Sequence, residues 1–231
     1  MVHFVFSPQW FYGIDSIFEI ASVLVSFLIA FASFRFYRFS SDAKYKYFGW
    51  SFLAIAIAFV AKILTNINVY YSVLEHRNLG FLTLTYRVIK YSDIFSVLGL
   101  VLYRSLILLG FLGVFALLQK NVDRKQFLLL AYSFLIISIL STYSFVAFHL
   151  TLVVLLAAIC HQYYINYSKK RSRQALLVLF AMILLFATHL VHIFVFASLG
   201  LYVLSESLQL IGFMVLLFSF FALKNVQKNK T

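Results

Sequence analysis

Apolar stretches long enough to cross a bilayer alternate along this chain with short clusters of Lys and Arg, and that alternation leaves few folds open. The clusters are Arg35/Arg38/Lys44/Lys46, Lys120/Arg124/Lys125, Lys169/Lys170/Arg171/Arg173 and Lys224/Lys228/Lys230, which together hold 14 of the 19 basic residues. Positive charge beside spanning segments stays cytoplasmic, so all four clusters belong on one side. The chain must then cross an even number of times between successive clusters.

A bilayer core of about 30 Å needs about 20 helical residues. Two helices fit between the first and second clusters, at about 46–68 and 92–119. As a single helix, residues 126–166 would run about 60 Å, twice the bilayer. They are therefore read as a hairpin, 126–144 and 146–166, turning near 141–144. The same argument divides 174–223 into helices at 174–197 and 201–223, with a turn near 198–202. Residues 14–36 supply the first span. The predicted fold class is an all-α integral membrane protein: a seven-helix bundle, N-terminus outside and C-terminus inside, built as three helical hairpins plus one further helix. Residues 69–91 are left as an outer linker, in which 81–90 either lies at the interface or lengthens the third helix.

Composition agrees with this reading. The 231 residues are 64% hydrophobic and 11% charged, with mean hydropathy +0.97, outside the range of soluble domains. No long polar segment remains, so residues 1–231 are read as one membrane domain in a multi-pass protein of the cell membrane. The net charge of +12 would point to nucleic acid in a soluble protein. Here it sits in loops beside spans, where topology and anionic headgroups account for it. The bilayer is thus an expected partner and nucleic acid is not. Cys160 is the only cysteine, which excludes an intrachain disulfide and a thiolate metal cluster. The N-terminus lacks a basic region and a cleavage site, so the first span is expected to act as an uncleaved anchor. Pro8 is the only proline. The broken midplane helices of many transporters have no counterpart here.

Polar side chains within a bilayer are costly and tend to face protein or water. On helix 1, Asp15, Glu19, Ser22 and Ser26 share one face. Helix 2 places Lys62, Thr65 and Asn66 in its outer half. Helix 3 carries Asp93, Ser96 and, near mid-depth, Arg104. Helix 5 carries His149 one turn in, helix 6 carries His189 and His192 near its outer end, and helix 7 begins with Glu206 and Gln209. The sequence thus predicts an outer-half polar chamber above an apolar cytoplasmic half. Asp15, Glu19, Lys62, Asn66, Asp93, Arg104 and Gln209 are its candidate ligand-binding residues. Lys62 is expected either to snorkel to the outer interface or to pair with Glu19 or Asp93, and Arg104 to pair with Asp93 through water. Asp15 and Glu19 are equally compatible with a solvated helix start favoured by the macrodipole.

His149, His189 and His192 at one level, with Glu206 on the next helix, form a candidate transition-metal site. His149 opposite His189 or His192 is a candidate axial pair for haem. The competing reading is that these histidines simply hydrogen-bond backbone or serine groups.

Two stretches, 44–62 and 201–217, carry Tyr45, Tyr47, Gly49, Tyr202, Gln209 and Gly212 as landmarks in an apolar pattern. They resemble the seven-helix membrane sensor modules of prokaryotes. The resemblance covers about a quarter of the chain and implies detection of a small ligand or of membrane state through the outer half. With no output domain read after Lys224, the resemblance implies that a sensor of this kind is expected to signal through a separate cytoplasmic or membrane partner. A sensor or receptor-like protein, rather than an enzyme, is the leading expectation. A haem- or metal-binding redox protein is the alternative. A transporter and a membrane metal-dependent hydrolase follow, the latter lacking the expected HxxxH in its last helix. The sequence is also compatible with a homo-oligomer.

Overall fold

Seven α-helices and two short 3-10 turns account for the computed structural model, which describes residues 7–78, 85–119, 123–142 and 144–228. The side chains of residues 9, 69–78, 85–93, 170 and 222–228 lie outside that description. Among the described residues there is no β-strand. In hydrocarbon, a helix satisfies its backbone hydrogen bonds within itself, and no described residue after Pro8 is a proline that would interrupt it. The helices are α1 (Ile14–Ser40), α2 (Ala43–Asn78), α3 (Thr85–Leu118), α4 (Arg124–Leu140), α5 (Phe145–Lys170), α6 (Arg173–Ile193) and α7 (Leu199–Lys228).

Six of them, all but α4, contain stretches long and apolar enough to cross a membrane. This is the architecture of a multi-pass membrane protein, and its apolar outer faces suit lipid. At 17 residues, α4 spans about 25 Å, less than the ~30 Å hydrocarbon core.

The six long helices close into a ring. Helix α1 packs on α2, α2 on α3, α3 on α5, α5 on α6, α6 on α7, and α7 returns to α1. Helix α4 lies outside the ring, against α3 and, more lightly, α5. Its single buried residue is Ser138, whereas Leu128, Leu129, Tyr132, Ile139 and Leu140 face outward. The ring interior is filled by Ile29, Phe52, Phe59, Leu108, Leu156 and Phe213, each at most 1% exposed. Gly110 permits the close α2–α3 approach, since a Cβ there would stand 2.6 Å from Ile55 Cγ1 and 3.0 Å from the Ser51 carbonyl.

Two sequence expectations require correction. First, most of the linker expected at 69–91 is helical: α2 runs to Asn78 and α3 begins at Thr85. No proline or glycine interrupts 69–78, so the helix continues past its apolar part. The alternating segment therefore lengthens α3 from Thr85 onward, and residues 81–84 lie outside the described residues. Second, the turn expected near 198–202 falls earlier. Helix α6 ends at Ile193, a 3-10 turn covers Val195–Ala197, and Ser198 is extended. The Ser198 hydroxyl accepts from the Gly200 N–H at 3.3 Å, an N-cap contact that starts α7 there. The turn near 141–144 falls where expected, between Leu140 and Phe145.

Candidate functional site

Polar side chains converge near the same end of the ring, where α1, α5 and α7 begin and α6 ends. The basic clusters that are described lie at the other ends of these helices: Arg35 and Arg38 close α1, and Lys169 and Arg173 flank the α5–α6 turn. Each polar residue arrives on the buried stripe of its helix. Asp15, Glu19, Ser22 and Ser26 are all 0% exposed, as the i, i+4, i+7, i+11 spacing requires. They do not form a solvated helix start.

Lys62 stands at the centre. Its ammonium contacts Glu19 Oε1 at 2.9 Å and Glu206 Oε1 at 2.7 Å, joining α1, α2 and α7. Asn66, one turn along α2, donates from Nδ2 to Glu19 Oε1 at 2.8 Å. The Tyr103 ring on α3 lies 5.7 Å from the ammonium. The expected choice between Glu19 and Asp93 thus resolves as Glu19 together with Glu206. The Asp93 side chain lies outside the described residues. With both carboxyl groups and the amine ionised, the set carries one negative charge in an apolar ring. Among the described residues, three polar atoms here have no hydrogen-bond partner: Glu19 Oε2, Glu206 Oε2 and Gln209 Nε2. Buried polar groups are almost always partnered, and Glu206 and Gln209 share a face of α7 at i, i+3.

Asp15 serves a different end. Its Oδ1 accepts from the backbone N–H groups of Gly13 (3.1 Å) and Ser16 (2.8 Å). Gly13 adopts φ +85°, a left-handed conformation that suits glycine. Asp15 Oδ2 receives the Tyr202 hydroxyl at 3.5 Å, and Tyr202 packs edge-on against Phe11. This carboxylate therefore ties the start of α1 to α7.

Arg104, expected near mid-depth on α3, reaches the α4–α5 turn and the start of α5. Its Nη1 donates to Ser141 Oγ at 2.8 Å, just past the end of α4, and its guanidinium lies 5.4 Å from the Phe148 ring in the first turn of α5. Arg104 lies within the apolar stretch Ile94–Leu118 of α3. Among the described residues, no carboxylate lies within ion-pair distance of Arg104.

The histidines meet one another. His149 Nδ1 and His189 Nδ1 are 3.1 Å apart, so one donates and the other accepts. The rings of His149 and His192 stack with centroids 4.4 Å apart at 11°, which leaves no room for a macrocycle between them. His192 Nδ1 is 2.7 Å from Ser205 Oγ. Glu206, the expected fourth ligand, is turned to Lys62. Among the described residues, no three His, Cys, Asp or Glu side chains group closely enough to hold a metal ion.

Sequence reasoning passed over Ser205, Tyr202 and Tyr103. Tyr202 was within reach, because Tyr202, Glu206 and Gln209 follow i, i+4, i+7. Ser205 and Tyr103 carried no such signal. No protein-family model matches the chain, and no curated protein or solved structure does.

Proposed function

We propose that this chain is a seven-helix membrane sensor, one domain with its N-terminus outside, that binds a small cation in the polar layer and signals to a separate partner through its basic cytoplasmic loops. The observation that supports it most is the set of Glu19 Oε2, Glu206 Oε2 and Gln209 Nε2, buried and, among the described residues, without partners; Lys62 contacts the two glutamates, and Gln209 lies one turn beyond Glu206. With both carboxyl groups ionised, two carboxylates against one ammonium leave a deficit of one positive charge, and buried charge without compensation is strongly unfavourable. A ligand bearing one positive charge restores neutrality. The Gln209 amide, one turn along α7, offers a donor to an acceptor oxygen on that ligand. Filling the site draws α1, α2 and α7 together, which is the differential contact a two-state receptor needs.

The test uses the full chain in lipid nanodiscs, with sodium, ethylammonium and ethanolamine as probes of thermal stability. A ligand at a hundredfold its Kd stabilises by about 2.7 kcal/mol. Ethanolamine, with its hydroxyl, is expected to exceed ethylammonium. Glu206→Gln leaves a balanced Glu19–Lys62 pair and is expected to fold while losing the response. A wild-type protein indifferent to all three probes, or a Glu206→Gln variant that responds fully, would refute the reading.

A further inference from the structure

At the opposite end of the ring, a separate groove is built by the α1–α2 hairpin. The connection is only two residues long: Ser41 takes φ 55°, its N–H bonds to the Tyr37 carbonyl at 2.9 Å, and Asp42 Oδ1 accepts from the Lys44 N–H at 2.9 Å, starting α2. So short a turn holds the last turns of α1 against the first turns of α2. The resulting open groove has a volume of about 710 Å³.

Its lining follows from helical spacing. Phe31, Phe34, Arg35, Arg38 and Phe39 fall at i, i+3, i+4, i+7, i+8 and so form one stripe of α1. Lys46 and Trp50, at i, i+4, face them from α2. Phe34 meets Trp50 edge-on at 5.6 Å. It fits there because residue 49 is glycine, where a Cβ would stand 2.8 Å from the Phe34 ring. Phe31, Phe39 and Trp50 are each more than half exposed. The groove is therefore aromatic along its length and cationic at its rim. Among the described residues, no carboxylate lies within ion-pair distance of Arg35, Arg38 or Lys46; the Lys46 ammonium rests 5.9 Å from the Tyr37 ring.

The geometry points to one occupant: an anionic phospholipid, its phosphate among Arg35, Arg38 and Lys46 and its acyl chain along the aromatic wall. Both helices are of membrane-spanning length, and the groove lies where their apolar parts give way to charge, the level at which a headgroup sits. Guanidinium groups match phosphate oxygens in a bidentate geometry, and basic residues near a membrane surface attract anionic lipid. An acidic protein segment would satisfy the cations but not the exposed Phe31 and Phe39.

The chain carries two tryptophans, Trp50 in the groove and Trp10 near the other end of α1. That permits a direct test. The full chain carrying Trp10→Phe is reconstituted in vesicles of equal phosphatidylglycerol and phosphatidylcholine, with one or the other brominated, and quenching of Trp50 fluorescence is read. Brominated phosphatidylglycerol is expected to quench at least about threefold more than brominated phosphatidylcholine at the same bulk fraction. Arg35→Gln and Lys46→Gln, both changes of exposed side chains, should each reduce that excess. Lys125→Gln, basic but outside the groove, should leave it intact. Quenching that follows bulk composition would overturn the proposal. So would an excess that Lys125→Gln reduces as much as Arg35→Gln, since the preference would then belong to the whole basic surface.

Discussion

Two polar clusters share one end of this bundle, and they are built on opposite principles. Around Lys62, charge is set against charge, and three polar atoms on Glu19, Glu206 and Gln209 remain open. Around His149, imidazole rings bond and stack with one another, and no imidazole nitrogen is among the buried unpartnered atoms of the described residues. An unfilled cluster invites a ligand, whereas a cluster whose groups answer each other chiefly holds helices together. On the proposed reading, binding belongs to α1, α2 and α7, and α5 and α6 form the supporting wall.

The comparison is tested most severely at Lys62. Lys62→Met leaves Glu19 and Glu206 facing each other without a cation, and removing one partner of a buried pair costs about 3–5 kcal/mol. A large fall in the thermal midpoint of the detergent-solubilised protein is expected. The triple variant Glu19→Gln, Lys62→Met, Glu206→Gln removes all three charges and should recover most of that stability, because the penalty lies in uncompensated charge. If Lys62→Met is as stable as the parent, the two clusters do not differ in kind.

The sequence made the faces legible but not their partners. Spacing within a helix fixes which residues share a stripe, so Asp15, Glu19, Ser22 and Ser26 were placed together correctly, as were His189 and His192. Which stripe meets which is decided by the order of helices around the ring, and the α7–α1 closure that brings Glu206 to Lys62 has no local signature. The displacement of α4 was equally hidden, since an apolar helix reads alike inside the ring or against lipid.

Between the two extremes stands Arg104, a cation answered by the neutral hydroxyl of Ser141. Ser141→Ala removes that acceptor. A hydrogen bond to a charged group contributes about 1.5–3 kcal/mol, so a loss in that range is expected, smaller than for Lys62→Met. Ser141 also donates to the Ser138 carbonyl at 2.8 Å. Ser141→Thr, which keeps the hydroxyl, should therefore retain most of the stability. An equal loss in both variants would mean that the turn geometry, rather than the guanidinium contact, sets the effect.

The smallest effect is expected among the histidines. The Nδ1 atoms of His149 and His189 share one hydrogen bond, so the two rings must be opposite tautomers there. His149→Leu leaves the His189 Nδ1 unanswered and should destabilise by about 1–3 kcal/mol, whereas replacing both rings with leucine removes donor and acceptor together and should cost less than either single change. Nitrogen NMR of the labelled parent should find one ring protonated at Nδ1 and its partner unprotonated there. Elemental analysis and absorption spectroscopy of the same sample complete the test. Stoichiometric metal or a Soret band lost in His149→Leu would move this cluster from the supporting wall to the binding site, and the contrast with the Lys62 cluster would fall.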